Sequence, residues 1–370
     1  MTGIDFSKPI SLYIHVPFCT RKCSYCAFYS LAERRWPIKP DEYASKIIEI
    51  IRALPPLRFS TIYFGGGNPG LLSDDSIISI INESSKYGRA EEITLELNPE
   101  EVSEKRIEML RNHIDRISIG VQSLNEKTLS FLGRNSTRDE NIKALKILKD
   151  SKINFNADLM TATPGSSIDD TLSDIDELSS FSPSHISFYC LTFEENTPLY
   201  PMRKLRDEEF EISSLLGGWK RLKELGYEHY EVSNFARDGK YSKHNINYWN
   251  LGQYIGVGPA SESSIGWRDI SSYHEVEDLC AWLDGKRGKV EKLDRIEGAL
   301  EYIMVSLRSK WGVNKKELSE RFLIDFDSTF KNAIGKLDKN SYSDTDFSFS
   351  LTEKGWMILD SIILTLSLEL

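Results

Sequence analysis

The chain has 370 residues, too many for one small module, and its 40% hydrophobic and 11% aromatic content excludes wholesale disorder and fibrous repeats. Its 46 basic and 56 acidic side chains leave a net charge of −10, so it has no global field with which to hold nucleic acid or an anionic membrane. The N-terminal MTGIDFSKPI lacks the basic start and apolar core of a signal peptide. The apolar C-terminal stretch WMILDSIILTLSLEL is interrupted by Asp360 and is shorter than the roughly 20 residues of a membrane span, which predicts a buried helix in a soluble, cytoplasmic chain.

In chain order, ISLYIHV at 10–16 reads as a strand and DEYASKIIEIIRAL from Asp41 as an amphipathic helix. STIYF at 60–64 is a strand that ends in a glycine turn, and Ser73 is a good N-cap for the helix that follows. EITLEL, DRISIGV, INFNADLM and HISFYCL are further strands separated by helical patterns, and a helix from about Asp207 to Leu225 closes the series. Six strand–helix repeats with short connections imply a parallel sheet, either open or rolled into a barrel. From 226 to 285 the chain turns rich in Gly, Asn, Ser and aromatics, and reads as a loop-rich extension over the scaffold. Helical patterns return from about 291, with a short β-like stretch, DFSFSLT, before the last helix, which suggests a small winged-helix-like domain over 286–370.

Five cysteines are too few, and odd in number, for a disulfide framework. Three of them, Cys19, Cys23 and Cys26, stand in a C-x3-C-x2-C spacing directly after the first strand. Thiolates at that spacing suit a soft metal or an iron–sulfur cluster. A zinc site would need a fourth Cys or His, and none is nearby. Three ligands can instead hold three irons of a 4Fe–4S cube and leave the fourth open to a small molecule, with Arg21 and Lys22 offsetting its charge. A chance group of thiols is the alternative. Gly65, Gly66 and Gly67 end the second strand, where the missing side chains let backbone approach a ligand or simply make a tight turn.

The cysteine triplet, with the glycine turn about forty residues later, resembles the radical S-adenosylmethionine superfamily. YIHVPFCTRKCSYCAF, YFGGGNPGLL, LELNPEE, RISIGVQS, LGRNS and ADLMTATPG resemble, in order, motifs of its oxygen-independent coproporphyrinogen III oxidase family. The oxidases of that family have a further cysteine two residues after the triplet, where this chain has Phe28. HNINYW, residues 244–249, resembles the H-N-x-x-Y-W motif of the haem-chaperone branch, HemW. The resemblance implies an incomplete (β/α)6 barrel over 8–225 that binds a 4Fe–4S cluster and S-adenosylmethionine. Haem is then the cargo passed to an acceptor protein. Coproporphyrinogen oxidation is the alternative activity, and radical modification of RNA a more distant one.

Carried over position by position, the resemblance puts Cys19, Cys23 and Cys26 on the cluster. Tyr13, Tyr25, Gly66, Gly67, Asn68, Glu96, Gln122, Arg134 and Asp158 fall around S-adenosylmethionine. All but Arg134 lie at or near carboxyl ends of strands, where parallel barrels build sites, although Glu96 or Asp158 alone could merely cap a helix. The family's Thr after the glycines is Asn68 here, its G-L-P loop is replaced by the segment Thr161 to Pro164, and the branch's His in G-A-G-A-H-S is Glu262.

His244 is the candidate axial haem ligand, in a loop with Tyr248 and Trp249, or else a loop histidine bonded to a carbonyl. His15 is expected to pack beside the cysteine loop, and Cys190 and Cys280 to be core residues. Residues 286–370 carry 14 basic and 14 acidic side chains, so this domain lacks the excess that nucleic acid requires. The expected partners are haem and its acceptor. Membrane contact would come only through that acceptor, and a homodimer is left open.

Overall fold

Along β1 (Ile10–Val16), Ile10, Leu12, Ile14 and Val16 are buried hydrophobics, and Ser11, Tyr13 and His15 alternate with them. This period of two gives the strand an aliphatic face toward helices and a polar face toward the inside of the sheet. The computed structural model describes residues 3–370 and repeats that pattern five more times. The two-residue strands β2 (Phe18–Cys19) and β3 (Leu31–Ala32) pair across the cysteine loop, and α1 (Pro40–Ala53) follows. Then come β4 (Thr61–Gly66), α2 (Asp74–Ser84), β5 (Glu92–Leu97), α3 (Glu104–Leu110) and β6 (Arg116–Gln122). After α4 (Glu126–Leu132) and α5 (Arg138–Ser151), β7 (Asn154–Thr161), α6 (Ile168–Ser180), β8 (His185–Cys190) and α7 (Glu208–Glu224) complete six βα units.

β1, β4, β5, β6, β7 and β8 are parallel neighbours in that order, the sequential arrangement of a half-barrel. Helix starts follow local chemistry: Ser73 accepts from the Ser76 amide and Thr137 from the Glu140 amide.

The segment after 226 departs from the loop-rich expectation. It forms β9 (Glu228–Glu231), β10 (Asn234–Ala236), α8 (Lys243–Trp249), β11 (Gln253–Val257), β12 (Glu262–Ile265), β13 (Ser271–His274), α9 (Leu279–Leu283) and β14 (Lys289–Lys292). β10 and β9 extend the β8 edge antiparallel, whereas β11 joins β1 in parallel and carries β12, β13 and β14 beyond it, making one 12-stranded sheet. These strands are three to five residues long and rich in Ser, Glu and Tyr, so they lack the apolar runs that mark a buried parallel strand.

The C-terminal elements are α10 (Arg295–Ser306), β15 (Val313–Asn314), α11 (Lys315–Phe322), α12 (Phe326–Ile334), β16 (Tyr342–Asp344), β17 (Ser348–Leu351), α13 (Glu353–Trp356) and α14 (Leu359–Ser367). Helix, strand, two helices and a hairpin, with sheet order β15-β17-β16, is a winged-helix arrangement. α14 buries Leu359, Ile362, Ile363 and Leu366 and exposes Leu364. The hydrophobic core continues from the half-barrel into this region through Tyr302, Ile303 and Phe322. Among the described residues no helix is long and apolar enough to cross a membrane.

Candidate cofactor site at the carboxyl edge

The six parallel strands aim their carboxyl ends at one cavity, and the cysteine loop forms one of its walls. Cys19, Cys23 and Cys26 line it with Tyr25, Gly66, Gly67, Asn68, Glu96, Gln122, Arg134 and Asp158. The structure therefore brings together every residue expected around the cluster and S-adenosylmethionine except Tyr13. That tyrosine does not line the cavity, and its hydroxyl lies 3.1 Å from His15 Nδ1. His15 in turn donates from Nε2 to the Tyr29 carbonyl at 2.9 Å, so it braces the cysteine loop as expected.

The loop is clamped from both sides. The Ser24 amide donates to the Leu132 carbonyl (3.0 Å) and the Leu199 amide to the Ser24 carbonyl (3.1 Å). Gly133 has φ +68°, and a Cβ there would lie 2.4 Å from Ser24 Oγ, so only glycine fits. Lys22 donates to the Phe28 carbonyl at 2.9 Å and stiffens the loop. Phe28, where the oxidases have cysteine, is 72% exposed at the cavity mouth.

The glycine turn has a tighter cause than ligand approach alone. A Cβ on Gly67 would sit 2.6 Å from the Phe18 carbonyl oxygen, and one on Gly66, at φ +109°, would strike the His15 ring. The triplet lets the ends of β1 and β4 close on each other. Asn68 is buried with both ends of its amide used, accepting from the Gly70 amide and donating to Glu101 Oε1 at 2.8 Å.

The cavity floor is polar and desolvated. Glu96 accepts from the Tyr63 hydroxyl at 2.7 Å, and burial pushes its carboxyl up to about 7. Burial also raises Asp158, which accepts from Asn156 Nδ2 at 2.7 Å. Gln122, at φ +67°, accepts from the Tyr189 hydroxyl at 3.0 Å. Arg134 donates to the Gly120 carbonyl (2.6 Å), Asn98 Oδ1 (3.0 Å) and Cys23 Sγ (3.5 Å), while its buried Nε has no partner among the described residues. Tyr25 joins Leu132, Met160 and Leu191 in an apolar wall. Tyr189, Asn98 and Ser118 also line the cavity and were not singled out from sequence. Tyr189 was legible: it alternates with His185 and Ser187 on the inward face of β8.

These residues suit an iron–sulfur cluster. Burial pushes the Cys19 thiol up to about 11 and raises Cys26, so neither is a thiolate at neutral pH without a cation to displace its proton. Among the described residues no three His, Cys, Asp or Glu side chains are grouped for one metal ion. A cube, which takes each thiolate at a different iron, does not require that convergence.

His244 lies elsewhere, in a helix and not in the loop expected, and its ring partners are side chains and not a backbone carbonyl. It sits in the first turn of α8, 1% exposed, with Nδ1 2.7 Å from Thr61 Oγ1 and Nε2 2.8 Å from the Tyr248 hydroxyl. Both ring nitrogens are engaged and neither faces the cavity. Glu262 is exposed on β12 and pairs with His274 at 3.1 Å. Cys190 is half-buried on β8, and Cys280 is exposed rather than core.

The Radical SAM superfamily pattern matches residues 13–178 and the HemN C-terminal domain residues 293–358. Coproporphyrinogen III oxidase (HemN) from Escherichia coli has the same fold, with TM-score 0.79 and 17% identity over 98% of this chain and 91% of that one. Heme chaperone HemW from Buchnera aphidicola subsp. Schizaphis graminum is 34% identical over 371 residues, 96% of this chain and 97% of that protein. Heme chaperone HemW from Haemophilus influenzae is 32% identical with the same coverage. A radical SAM half-barrel, a HemN-type C-terminal domain and end-to-end identity above 30% lead to one assignment: the chain belongs to the HemW family of the radical SAM superfamily.

Proposed function

We propose that this chain holds a 4Fe–4S cluster on Cys19, Cys23 and Cys26, binds S-adenosylmethionine beside it, and carries haem to an acceptor protein. The observation that carries the cofactor reading is the convergence of three half-buried thiols and a desolvated polar floor on one cavity. When bound, this pair of groups supplies one-electron reductive chemistry at a sulfonium centre. The chain's own part is to hold and shield it. Glu96 and Asp158 offer carboxylates to the cationic and hydroxyl groups of S-adenosylmethionine, Tyr25 and its neighbours exclude water, and Arg134 offsets thiolate charge.

Haem transfer is favoured over coproporphyrinogen oxidation by the relatives named heme chaperones and by Phe28, which stands where the oxidases have cysteine. Haem is flat and largely apolar, and the exposed Phe28 ring at the cavity mouth suits such a face. RNA modification is disfavoured by the equal basic and acidic counts of the C-terminal domain.

Anaerobically reconstituted protein tests the reading through iron content, S-adenosylmethionine calorimetry, a haem titration followed at the Soret band, and coproporphyrinogen turnover. One cluster, bound S-adenosylmethionine, stoichiometric haem and no turnover are expected. Robust conversion of coproporphyrinogen would replace the chaperone with the oxidase.

A further inference from the structure

The H-N-x-x-Y-W helix lies against the inward face of the half-barrel. α8 contacts β4, β11 and α10, and its first turn meets the lower polar layer of the sheet, where the His244 amide donates to Glu92 Oε1 (3.3 Å). His244 and Tyr248 are four residues apart and so share one face of the helix, which is why the tyrosine hydroxyl reaches the imidazole.

The neighbouring hydroxyls assign the tautomer. Ser60 donates its proton to the Ile10 carbonyl, so its oxygen accepts from Ser11, and Ser11 accepts from Thr61 at 2.7 Å. Thr61 has no proton left for His244, so Nδ1–H donates to Thr61 Oγ1 and Nε2 accepts from the Tyr248 hydroxyl. The only lone pair that could ligate iron is thus taken. The His244 ring also lies 5.0 Å from the Tyr63 ring at 32°, and Tyr63 is the residue whose hydroxyl holds Glu96 at the cavity floor. Thr61 and Tyr63 are both inward positions of β4, so the imidazole is anchored to one and packed on the other.

We infer that His244 is a positioning residue of the cofactor cavity, which fixes the Tyr63 ring and through it the carboxylate of Glu96, and is not an iron ligand. This rests on the cavity being the S-adenosylmethionine site. H-N-x-x-Y-W thereby acquires an internal role, in which the helix locks the middle of the sheet under the cofactor and His244 carries the aromatic contact. Burial holds this imidazole down at about 3, so it stays neutral and its bonding pattern does not change over the pH range in which the protein works.

The test is S-adenosylmethionine calorimetry on the cluster-reconstituted full chain, with haem titrations in parallel, for wild type, Tyr63→Phe, His244→Ala, His244→Phe and the double variant Tyr63→Phe/His244→Ala. Tyr63→Phe removes the hydroxyl on Glu96 and should weaken S-adenosylmethionine binding roughly tenfold. His244→Ala should give a similar loss, and the double variant no more than either single change, because both act on one carboxylate. His244→Phe keeps a ring against Tyr63 and has no nitrogen, so it should bind S-adenosylmethionine within about twofold of wild type and leave the Soret band unmoved. If His244→Ala does not fold, His244→Phe and Tyr63→Phe still decide. An affinity indifferent to Tyr63→Phe and His244→Ala, additive losses, or a Soret band lost in His244→Phe would overturn the inference. Wild type that holds its cluster and binds no S-adenosylmethionine would instead fail the cavity assignment on which it rests.

Discussion

Two polar clusters share the inner face of the sheet, one at the carboxyl edge around Glu96, Asp158 and the cysteines, the other lower down around His244. Both are buried, but the upper one draws its side chains from β5, β6, β7 and the cysteine loop, and the lower one from β1, the start of β4 and α8. In the lower cluster every hydrogen of the Tyr248–His244–Thr61–Ser11–Ser60 chain ends on an acceptor, and the chain finishes at a backbone carbonyl. In the upper one, carboxyls and thiols are raised by burial, Arg134 Nε has no partner among the described residues, and Gln122 is held at a positive φ. Desolvation without internal compensation marks a place built for something to bind, whereas a closed set of donors and acceptors marks a place built to hold shape.

The sharpest way to break this contrast is to remove one thiol. Cys23→Ala should abolish the cluster, with iron falling to background. Cys190→Ala should leave iron unchanged, because that thiol lies on β8 outside the cavity lining. Equal loss in both would end the cluster assignment.

Next in size are the floor residues. Asp158→Ala and Gln122→Ala should each keep the cluster and lose on the order of 1.5–3 kcal/mol of S-adenosylmethionine binding, roughly tenfold or more by calorimetry. Unchanged affinity in both would mean that the carboxyl edge is not the ligand site.

The two clusters should also differ in pH response. Glu96 titrates near 7 in the folded chain against 4.5 ordinarily. As pH rises from 4.5 to 7 the unfolded chain releases this proton before the folded one does, so stability falls across that window and the loss is complete above it. Glu96→Gln should therefore be more stable than wild type at pH 8 by on the order of 3 kcal/mol and equal to it at about pH 4. Glu101 and Glu231 are also raised to about 7 and Asp174 to about 6, so the difference between the two chains, not the slope of either, isolates Glu96. S-adenosylmethionine affinity should rise between about pH 6 and 8 in wild type and stay flat in Glu96→Gln. His244, held at about 3 against 6.5 ordinarily, acts with the opposite sign: below about 6.5 the unfolded chain takes up its proton and the folded one does not, so stability rises with pH from about 3 to 6.5, a contribution common to wild type and Glu96→Gln that their difference removes. Urea unfolding and calorimetry at the two ends of each range check both statements.

The smallest effect concerns backbone. Lys152 caps α5 at φ +59° and is exposed, with no contact to the cavity, so Lys152→Gly should gain about 0.5–1 kcal/mol in urea unfolding and leave S-adenosylmethionine affinity unchanged. The same relief at Gln122, through Gln122→Gly, should be offset by loss of binding. A gain in both properties there would show that the positive φ at the cavity is incidental.

What the sequence determined by itself is local. Alternating Ile and Val against Ser, Tyr and His specified the strand faces, Ser73 and Thr137 the helix starts, and the three cysteines with the glycine turn a cofactor edge, because each signal lies within a few residues of what it controls. The short strands from 228 to 292 were not legible because their pairing energy comes from β1 and β8, far back in the chain. The role of His244 was hidden for the same reason on a smaller scale. HNINYW displays an imidazole beside aromatics, as a metal-binding loop would, and nothing in those six residues says that Thr61, 183 positions earlier, holds one nitrogen while the tilted Tyr63 ring packs against the imidazole. Whether a polar side chain is free to bind or already spent is a property of the groups that fold against it, and only the tertiary structure decided that here.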